Sequence, residues 1–172
     1  MRQRKDEMVT YQQGWSRLDL TDTPLGPISL VFSHNGLASL SYEEDRKAIP
    51  PNMPTAKAAW AVAIKQNLIA YFFGLPMEFQ PLPLHLDGTP FQLRVWGELQ
   101  RIPRGKTVSY QELATRVGNP KAARAVGQAV GANPLPIIIP CHRVINADGR
   151  LGGYSSGLHR KEWLLRHEGV DI

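Results

Sequence analysis

The only cysteine in this 172-residue chain, Cys141, is followed directly by a histidine and an arginine, His142 and Arg143. A thiolate is a strong nucleophile, and neighbouring positive charge lowers the pKa of a thiol from its free value of about 8.5. The three residues therefore indicate a reactive cysteine with a lowered pKa. A lone cysteine is also common as an inert, buried, small apolar residue. On the local sequence alone, the two interpretations stand about equal.

The residues before the cysteine predict how it is positioned. The run Ile137, Ile138 and Ile139 is bounded by prolines and has the pattern of a short buried β-like segment. Pro140 ends that run. We therefore expect Cys141 and His142 at the point where a buried strand emerges.

Two short helices are predicted upstream of that run. Ser109 and Glu112 have capping-box spacing, and Gly118 closes the helix that they open. Asn119-Pro120 starts the second helix, PKAARAVGQAV, which ends at Gly131. Two short helices joined by a tight turn resemble a helix-turn-helix, although such pairs are often mere packing units.

The second of these helices is a candidate for contact with nucleic acid. It carries Lys121 and Arg124 three positions apart, so both fall roughly on one face. Its many alanines and glycines would let the backbone approach a partner closely. Tight packing against the preceding helix is the alternative explanation of those small residues.

The charge distribution favours a polyanionic partner for the second half of the chain. Residues 1–89 hold 8 basic and 9 acidic side chains, whereas residues 90–172 hold 12 and 6. The overall net charge of +5 therefore belongs to the second half. A basic surface of this kind attracts nucleic acid, although a merely solvated basic face is equally compatible with the charge alone.

The first half has the pattern of a small mixed α and β unit without a catalytic constellation. PISLVFS alternates as a half-buried strand does, and Asn35-Gly36 predicts a hairpin to LASLSY. A helix follows, with Trp60, Ile64, Leu68 and Phe72 on one face, and it ends at Gly74 and Pro76. The proline-rich QPLPLHLDG is predicted to link it to a helix that begins with Thr89, Pro90 and Gln92 in a capping box. We expect two domains, 1–86 and 87–172, with a supporting role for the first.

Composition excludes several classes of protein. Hydrophobic residues make up 42% and charged residues 20%, with a mean hydropathy of −0.27, which is typical of a globular chain. No apolar run is long enough for a membrane span, and the basic start lacks the apolar core of a secretory signal. A single cysteine excludes internal disulfides and multi-cysteine zinc sites, and no histidine has metal-ligand spacing. We expect a cytoplasmic protein without a metal, without another cofactor and without a membrane partner.

The segment PCHRVI, preceded by NPLPIIIP and followed by GGYSSGLHRKEWLLRHEG, resembles the active-site region of O6-alkylguanine-DNA alkyltransferases. SYQELATRVGNPKAARAVG resembles the helix-turn-helix of the same family, and the likeness runs from about Thr89 to Gly169. The resemblance implies an α+β fold, with a small N-terminal ribonuclease-H-like α/β domain before a mostly helical winged helix-turn-helix domain. The first half fits this description only loosely.

The resemblance also implies the roles of individual residues. Cys141 would accept the alkyl group, His142 would act on the thiol through a water, and Glu168 would orient that histidine. Asn133 would link the helix-turn-helix to the active-site segment. The residues implied in substrate and DNA binding are Tyr110 beside the flipped guanine, Tyr154 and Ser155 lining the pocket, Arg124 entering the base stack, and Lys121, Ala123 and Gly127 on the DNA side.

The implied partner is double-stranded DNA containing O6-alkylguanine, bound by a protein that is monomeric without DNA. The product would be a thioether with no step that frees the cysteine, so each molecule would react once. Ser156 stands where several relatives have glycine, which would alter the room for bulky alkyl groups. Other relatives carry a structural zinc in the first domain or an additional four-cysteine module, and the sequence predicts neither here.

Three other functions remain to be weighed. A cysteine hydrolase also needs a cysteine and a histidine, but it requires an oxyanion hole and turns over many times. A catalytically silent lesion binder would lack the nucleophile that Cys141 supplies. A purely regulatory helix-turn-helix protein would leave the PCHR segment unexplained.

Overall fold

The computed structural model describes residues 14–43, 49–75, 79 and 82–172, which fold into a mixed α and β protein. The predictions made for the first 13 residues, for Pro76 and for the start of the proline-rich linker lie outside these ranges. The elements of the first half are β1 Ser16–Leu20, β2 Ile28–Ser33, β3 Gly36–Tyr42 and α1 Ala59–Phe72. Those of the second half are α2 Pro90–Leu99, β4 Val108–Ser109, α3 Tyr110–Arg116, α4 Ala123–Gly131, β5 Val144–Ile145 and α5 Leu158–His167.

The strands β1, β2 and β3 form an antiparallel sheet in chain order. The hairpin at Asn35-Gly36 is confirmed, with Ser33 opposite Gly36. The prediction of a half-buried β2 was wrong, because all six of its residues are buried. One face packs on the main core, and on the other Val31 joins a small cluster with Trp15 and Ile49.

The proline-rich segment that was predicted to be a linker packs against this hairpin. The N–H of Leu37 donates to the carbonyl of Pro83 at 2.8 Å, and the N–H of His85 donates to the carbonyl of Leu37 at 2.8 Å. Gly36 has φ +149°, and a Cβ there would lie 2.3 Å from the Pro83 oxygen, so only glycine permits this approach. The segment 82–85 is therefore docked on β3 rather than spanning open space.

Helix α1 forms as predicted and buries a slightly rotated face. Its buried residues are Ala61, Ile64, Leu68 and Tyr71. The predicted stripe assumed a strict spacing of four, whereas a helix has 3.6 residues per turn, so the buried positions advance by three and four. Trp60 and Phe72, at the ends of the predicted stripe, are only partly buried.

The helix starts of the second half follow the predicted caps in part. The Thr89 side chain accepts from the N–H of Gln92 in a full capping box. Ser109 accepts from the N–H of Glu112 at 3.0 Å, while the Glu112 carboxylate pairs with Arg116 at 2.5 Å. Helix α4 begins at Ala123, not at Pro120, so the prediction that Lys121 lies on this helix was wrong. Lys121 instead lies in the turn before it.

The three isoleucines before the cysteine are buried, as predicted, but they do not form a strand. The N–H of Ile139 donates to the carbonyl of Leu135 at 2.8 Å, and Ile137 has φ +75°, which marks a tight turn. Prolines at 134, 136 and 140 remove backbone donors, so this segment cannot join a ladder. Cys141–Arg143 then form a single turn of 3-10 helix rather than the end of a strand.

The buried core is continuous between the two halves of the chain. One cluster of apolar side chains runs from Leu20 in β1 to Leu164 in α5. The N–H of Leu40 in β3 donates to the carbonyl of Pro134 at 2.9 Å, which ties the sheet to the turn before the cysteine. Among the helices of the described ranges, none combines the length and apolar character that crossing a membrane requires.

Candidate active site

Cys141 lies at the floor of a cavity of about 830 Å³ in the second half of the chain. Its N–H donates to the carbonyl of Ile139 at 2.7 Å, which fixes the backbone that presents the thiol. The residue is 3% exposed. The cavity is lined by residues of α3, α4 and the segment before α5, which are Tyr110, Gly127, Gln128, Val130, Gly131, Ala132, Gly153, Tyr154 and Ser155.

The environment of the thiol departs from the prediction. Burial raises the pKa of Cys141, and hydrogen bonding with Asn133, the charge of Lys161 and hydrogen bonding with Tyr154 offset this only in part. The expectation that adjacent charge gives a lowered pKa was therefore wrong, because desolvation of the thiolate outweighs the favourable contacts. Before substrate enters, the thiol is protonated at neutral pH.

His142 is fully buried, and its Nε2 lies 2.9 Å from Oε1 of Glu168. Burial lowers the pKa of His142 more than the neighbouring carboxylate raises it. Burial opposes ionisation of Glu168 too, but hydrogen bonds from His142 and Arg143 outweigh it and hold the carboxyl pKa well below its usual range. An ionised carboxylate only accepts hydrogen bonds, so Nε2 of the neutral imidazole carries the hydrogen. Nδ1 is then an unprotonated base, and it is buried without a hydrogen-bond partner among the described residues.

Three further residues contact the Glu168 carboxylate, and none of these contacts was predicted from the sequence. Arg143 donates from Nε to Oε2 and from Nη2 to Oε1, both at 2.8 Å. The Tyr71 hydroxyl donates to Oε1 at 2.8 Å, and the N–H of Gly105 lies 3.5 Å from Oε2. In the sequence, the position of Arg143 next to His142 indicates that it belongs to the site. No local signal marks Tyr71, which is 97 residues from Glu168 in the chain.

Asn133 connects the end of α4 to the turn that precedes Cys141. Its Nδ2 donates to the carbonyl of Ile139 at 2.7 Å, and its Oδ1 accepts from the N–H of Leu135 at 3.0 Å. The side chain thus supplies partners that the proline-rich turn cannot provide within itself. Asn133 therefore lies between α4 and the turn before Cys141, and its role in the reaction stays a prediction.

Lys161 was also missed, and it is fully buried. Its Nζ donates to the carbonyls of Val144 and Leu151, both at 2.5 Å, and of Gly153 at 3.2 Å. Burial lowers its pKa to about 8. The ammonium group therefore ties β5 to the segment that forms one wall of the cavity. The signal in the sequence is a lysine on the same helical face as the apolar Leu164 and Leu165.

Tyr110, Tyr154 and Ser155 meet at the cavity, as the resemblance implied. The Tyr110 hydroxyl lies 3.5 Å from the carbonyl of Gly153. Gly152 has φ +69°, and a Cβ there would lie 3.2 Å from Cε2 of Tyr110, so glycine lets this ring approach. Burial raises the pKa of both tyrosines, which keeps them as hydrogen-bond donors at neutral pH. Ser155 is exposed at the rim.

Helix α4 connects the cavity with the surface. Gly127 lines the cavity, and a Cβ there would lie 3.7 Å from the Tyr110 ring. Arg124 is exposed on the same helix, Ala123 is half-buried, and Lys121 is exposed in the preceding turn. Of the predicted DNA-side residues, three therefore lie on α4 and Lys121 lies in the turn before it, and Gly127 lines the cavity. In the ranges that the structure covers, no group of three or more histidine, cysteine or acidic side chains is arranged to hold a metal ion.

Comparison with known proteins gives consistent matches for this chain. Residues 90–170 match the family model described as 6-O-methylguanine DNA methyltransferase, DNA binding domain. The methylated-DNA–protein-cysteine methyltransferase of Methanosarcina acetivorans is 44% identical over 149 residues, covering 86% of this chain and 95% of that protein. The protein of the same name from Shigella flexneri is 50% identical, covering 86% and 92%. The crystal structure of Mycobacterium tuberculosis OGT in complex with DNA aligns with a TM-score of 0.76 at 42% identity, covering 90% of this chain and 91% of that one.

Proposed function

The chain belongs to the methylated-DNA–protein-cysteine methyltransferase family, and on that basis we propose that it repairs O6-alkylguanine in double-stranded DNA by moving the alkyl group to Cys141. The observation that carries the proposal is the arrangement at the cavity. A thiol lies at its floor, and a neutral histidine with a free, buried Nδ1 adjoins that thiol in the chain. The histidine is oriented by an ionised glutamate, Glu168, as in other activated nucleophiles.

The transfer is a displacement at the saturated carbon attached to O6. Nδ1 of His142 accepts the proton of the Cys141 thiol through a water molecule. The sulfur forms a bond to the alkyl carbon, the bond from carbon to O6 breaks, and its electron pair goes to guanine. Hydrogen bonds from Tyr110 and Ser155 stabilise the charge that develops on the leaving base. The product is a stable thioether, so the protein acts once.

DNA binding precedes this step. An alkyl group on O6 lies inside the duplex, so the base has to leave the stack at a cost of a few kcal/mol. Arg124 on α4 would fill the gap, because a planar guanidinium can both stack and donate hydrogen bonds. Lys121, Ala123 and Gly127 would lie against the DNA, with Lys121 acting from the turn before α4. The excess of basic residues in the second half supports contacts with phosphates.

The finer organisation is part of the same proposal. We assign residues 1–86 to a ribonuclease-H-like unit and residues 87–172 to a winged helix-turn-helix unit. The helices α3 and α4 would be the helix-turn-helix, and the parallel pair β4 and β5 would belong to the wing. A reaction that consumes a reduced thiol suits the reducing cytoplasm, where we place the protein.

The decisive experiment is intact-mass measurement after incubation with a duplex that contains one O6-methylguanine. We expect one methyl group per protein molecule, located on Cys141 by peptide mapping, and no change with the unmodified duplex. Cys141→Ser is the matched control and should remain unmodified. Multiple turnover, or transfer that persists in Cys141→Ser, would refute the proposal.

A further inference from the structure

Tyr71 lies in the first half of the chain and contacts Glu168, the partner of His142, in the second half. It lies on α1, is 1% exposed, and donates its hydroxyl to Oε1 of Glu168 at 2.8 Å. The same oxygen accepts from Nε2 of His142 at 2.9 Å. The first half was predicted to have only a supporting role, but this contact brings one of its side chains to Glu168, which hydrogen-bonds His142.

The Tyr71 ring is held on several sides. The guanidinium of Arg104 lies 5.3 Å from the ring centre, and the rings of His167 and Phe79 lie at 5.2 Å and 5.6 Å. The Tyr71 carbonyl also accepts from Nε2 of His167 at 2.6 Å. Burial and the neighbouring Glu168 carboxylate raise the pKa of the hydroxyl far above its ordinary value, so it stays a donor at every working pH. The hydroxyl is thus a fixed donor aimed at one carboxylate oxygen.

We propose that Tyr71 is a positioning residue for alkyl transfer, whose hydroxyl keeps Oε1 of Glu168 aligned with Nε2 of His142. Arg143 binds both carboxylate oxygens and fixes the plane of the group, whereas Tyr71 approaches Oε1 alone. Without the hydroxyl, the carboxylate turns towards Arg143 and its bond to His142 weakens. The imidazole then takes the thiol proton less readily at Nδ1. This inference rests on the proposed function.

The variant Tyr71→Phe tests the proposal because it keeps the ring and its packing and removes only the hydroxyl. The rate of methyl transfer is measured in single turnover across the range from about pH 6 to about pH 10. We expect a roughly fivefold loss at neutral pH, as for one weakened hydrogen bond. The loss should shrink as pH rises, because the thiol then ionises without His142.

The matched control is Phe72→Leu, the next residue on α1. Its ring packs on Trp163 of α5 at 5.9 Å, so the change perturbs the same interface without touching Glu168. This control should keep the wild-type pH profile. A second test places Tyr71→Phe in a Glu168→Gln background, where it should cause no further loss.

Each outcome decides between a positioning and a packing role. A wild-type profile in Tyr71→Phe, an equal loss at every pH, the same pH-dependent loss in Phe72→Leu, or an undiminished loss in the Glu168→Gln background would overturn the inference. If the wild-type protein transfers methyl groups in these cases, the proposed function stands and only the role of Tyr71 falls. If the wild type transfers none, both fall.

Discussion

Replacing Glu168 by glutamine tests whether a charged acceptor at this position keeps the hydrogen of His142 on Nε2 and leaves Nδ1 free to accept a proton. The carboxylate has no exposed surface, and each hydrogen-bond neighbour of its two oxygens within the described part of the chain is a donor. In glutamine one oxygen becomes an amide NH₂ group. Either orientation of the amide then places donors against donors. An NH₂ group in place of Oε2 faces Nε of Arg143, and one in place of Oε1 faces Tyr71, His142 and Nη2 of Arg143.

The expected cost has two parts. Removing one partner of a buried ion pair costs about 3–5 kcal/mol, because the other charge stays buried and uncompensated. Arg143, whose side chain is only 12% exposed, is that charge here. Since domains are stable by about 5–15 kcal/mol, the variant should fold with a reduced free energy of unfolding. Loss of an oriented general base should slow alkyl transfer by about 10²- to 10⁴-fold at neutral pH.

The assay combines urea unfolding with single-turnover methyl transfer over a range of pH. Recovery of the rate at alkaline pH is expected, because the thiol then loses its proton without help from the imidazole. Glu162→Gln is the matched control: Glu162 lies on α5, is 42% exposed and pairs only with Arg166 at 2.7 Å in the described part of the chain. It should change stability by less than about 1 kcal/mol and leave the rate unchanged. A Glu168→Gln variant that reacts at the wild-type rate at neutral pH would refute the reasoning.

Further predictions concern DNA binding and stability. Arg124→Ala should slow repair in duplex DNA far more than reaction with free O6-benzylguanine, since the free base needs no flipping; equal losses would remove the assigned role. Affinity for two unrelated duplexes should fall alike as salt rises, in a titration at several salt concentrations, and a flat response would contradict phosphate contacts. Because the pKa of Glu168 is depressed in the folded state, its contribution is present above about pH 4.3 and is lost as pH falls further, so urea unfolding should show a smaller acid loss in Glu168→Gln. Thr89→Ala should lower the free energy of unfolding by about 1 kcal/mol, measured in the same way.

Local signals in the sequence predicted most of the elements. Capping residues located the start of α2, and Asn35-Gly36 located the hairpin, because these patterns satisfy backbone groups within a few residues. The start of α4 was placed three residues too early, since Asn119-Pro120 opens a turn that closes at Ala122 before the helix begins. The isoleucine run shows the limit of pattern reasoning, because burial alone does not distinguish a strand from a tight turn.

The site was predictable to the extent that its residues form one continuous motif. Cys141 and His142 are adjacent, and the resemblance supplied Asn133 and Glu168. Tyr71 could not be found in this way, because its contact with Glu168 depends on how the two halves pack. The predicted lowering of the Cys141 thiol pKa was wrong for a similar reason. Neighbours in the sequence suggest charge, but only the folded structure shows how completely the sulfur is removed from water.

The buried state of the sulfur has a consequence for a protein that works once. Each molecule has to wait, sometimes long after its synthesis, until it meets a lesion. Thiolates are the form that oxidants and disulfides attack, and susceptibility rises with exposure. Cys141 is only 3% exposed, and burial raises the pKa of its thiol, so the sulfur is protonated at neutral pH. The desolvation that keeps the thiol protonated therefore also protects the one cysteine with which each molecule can react.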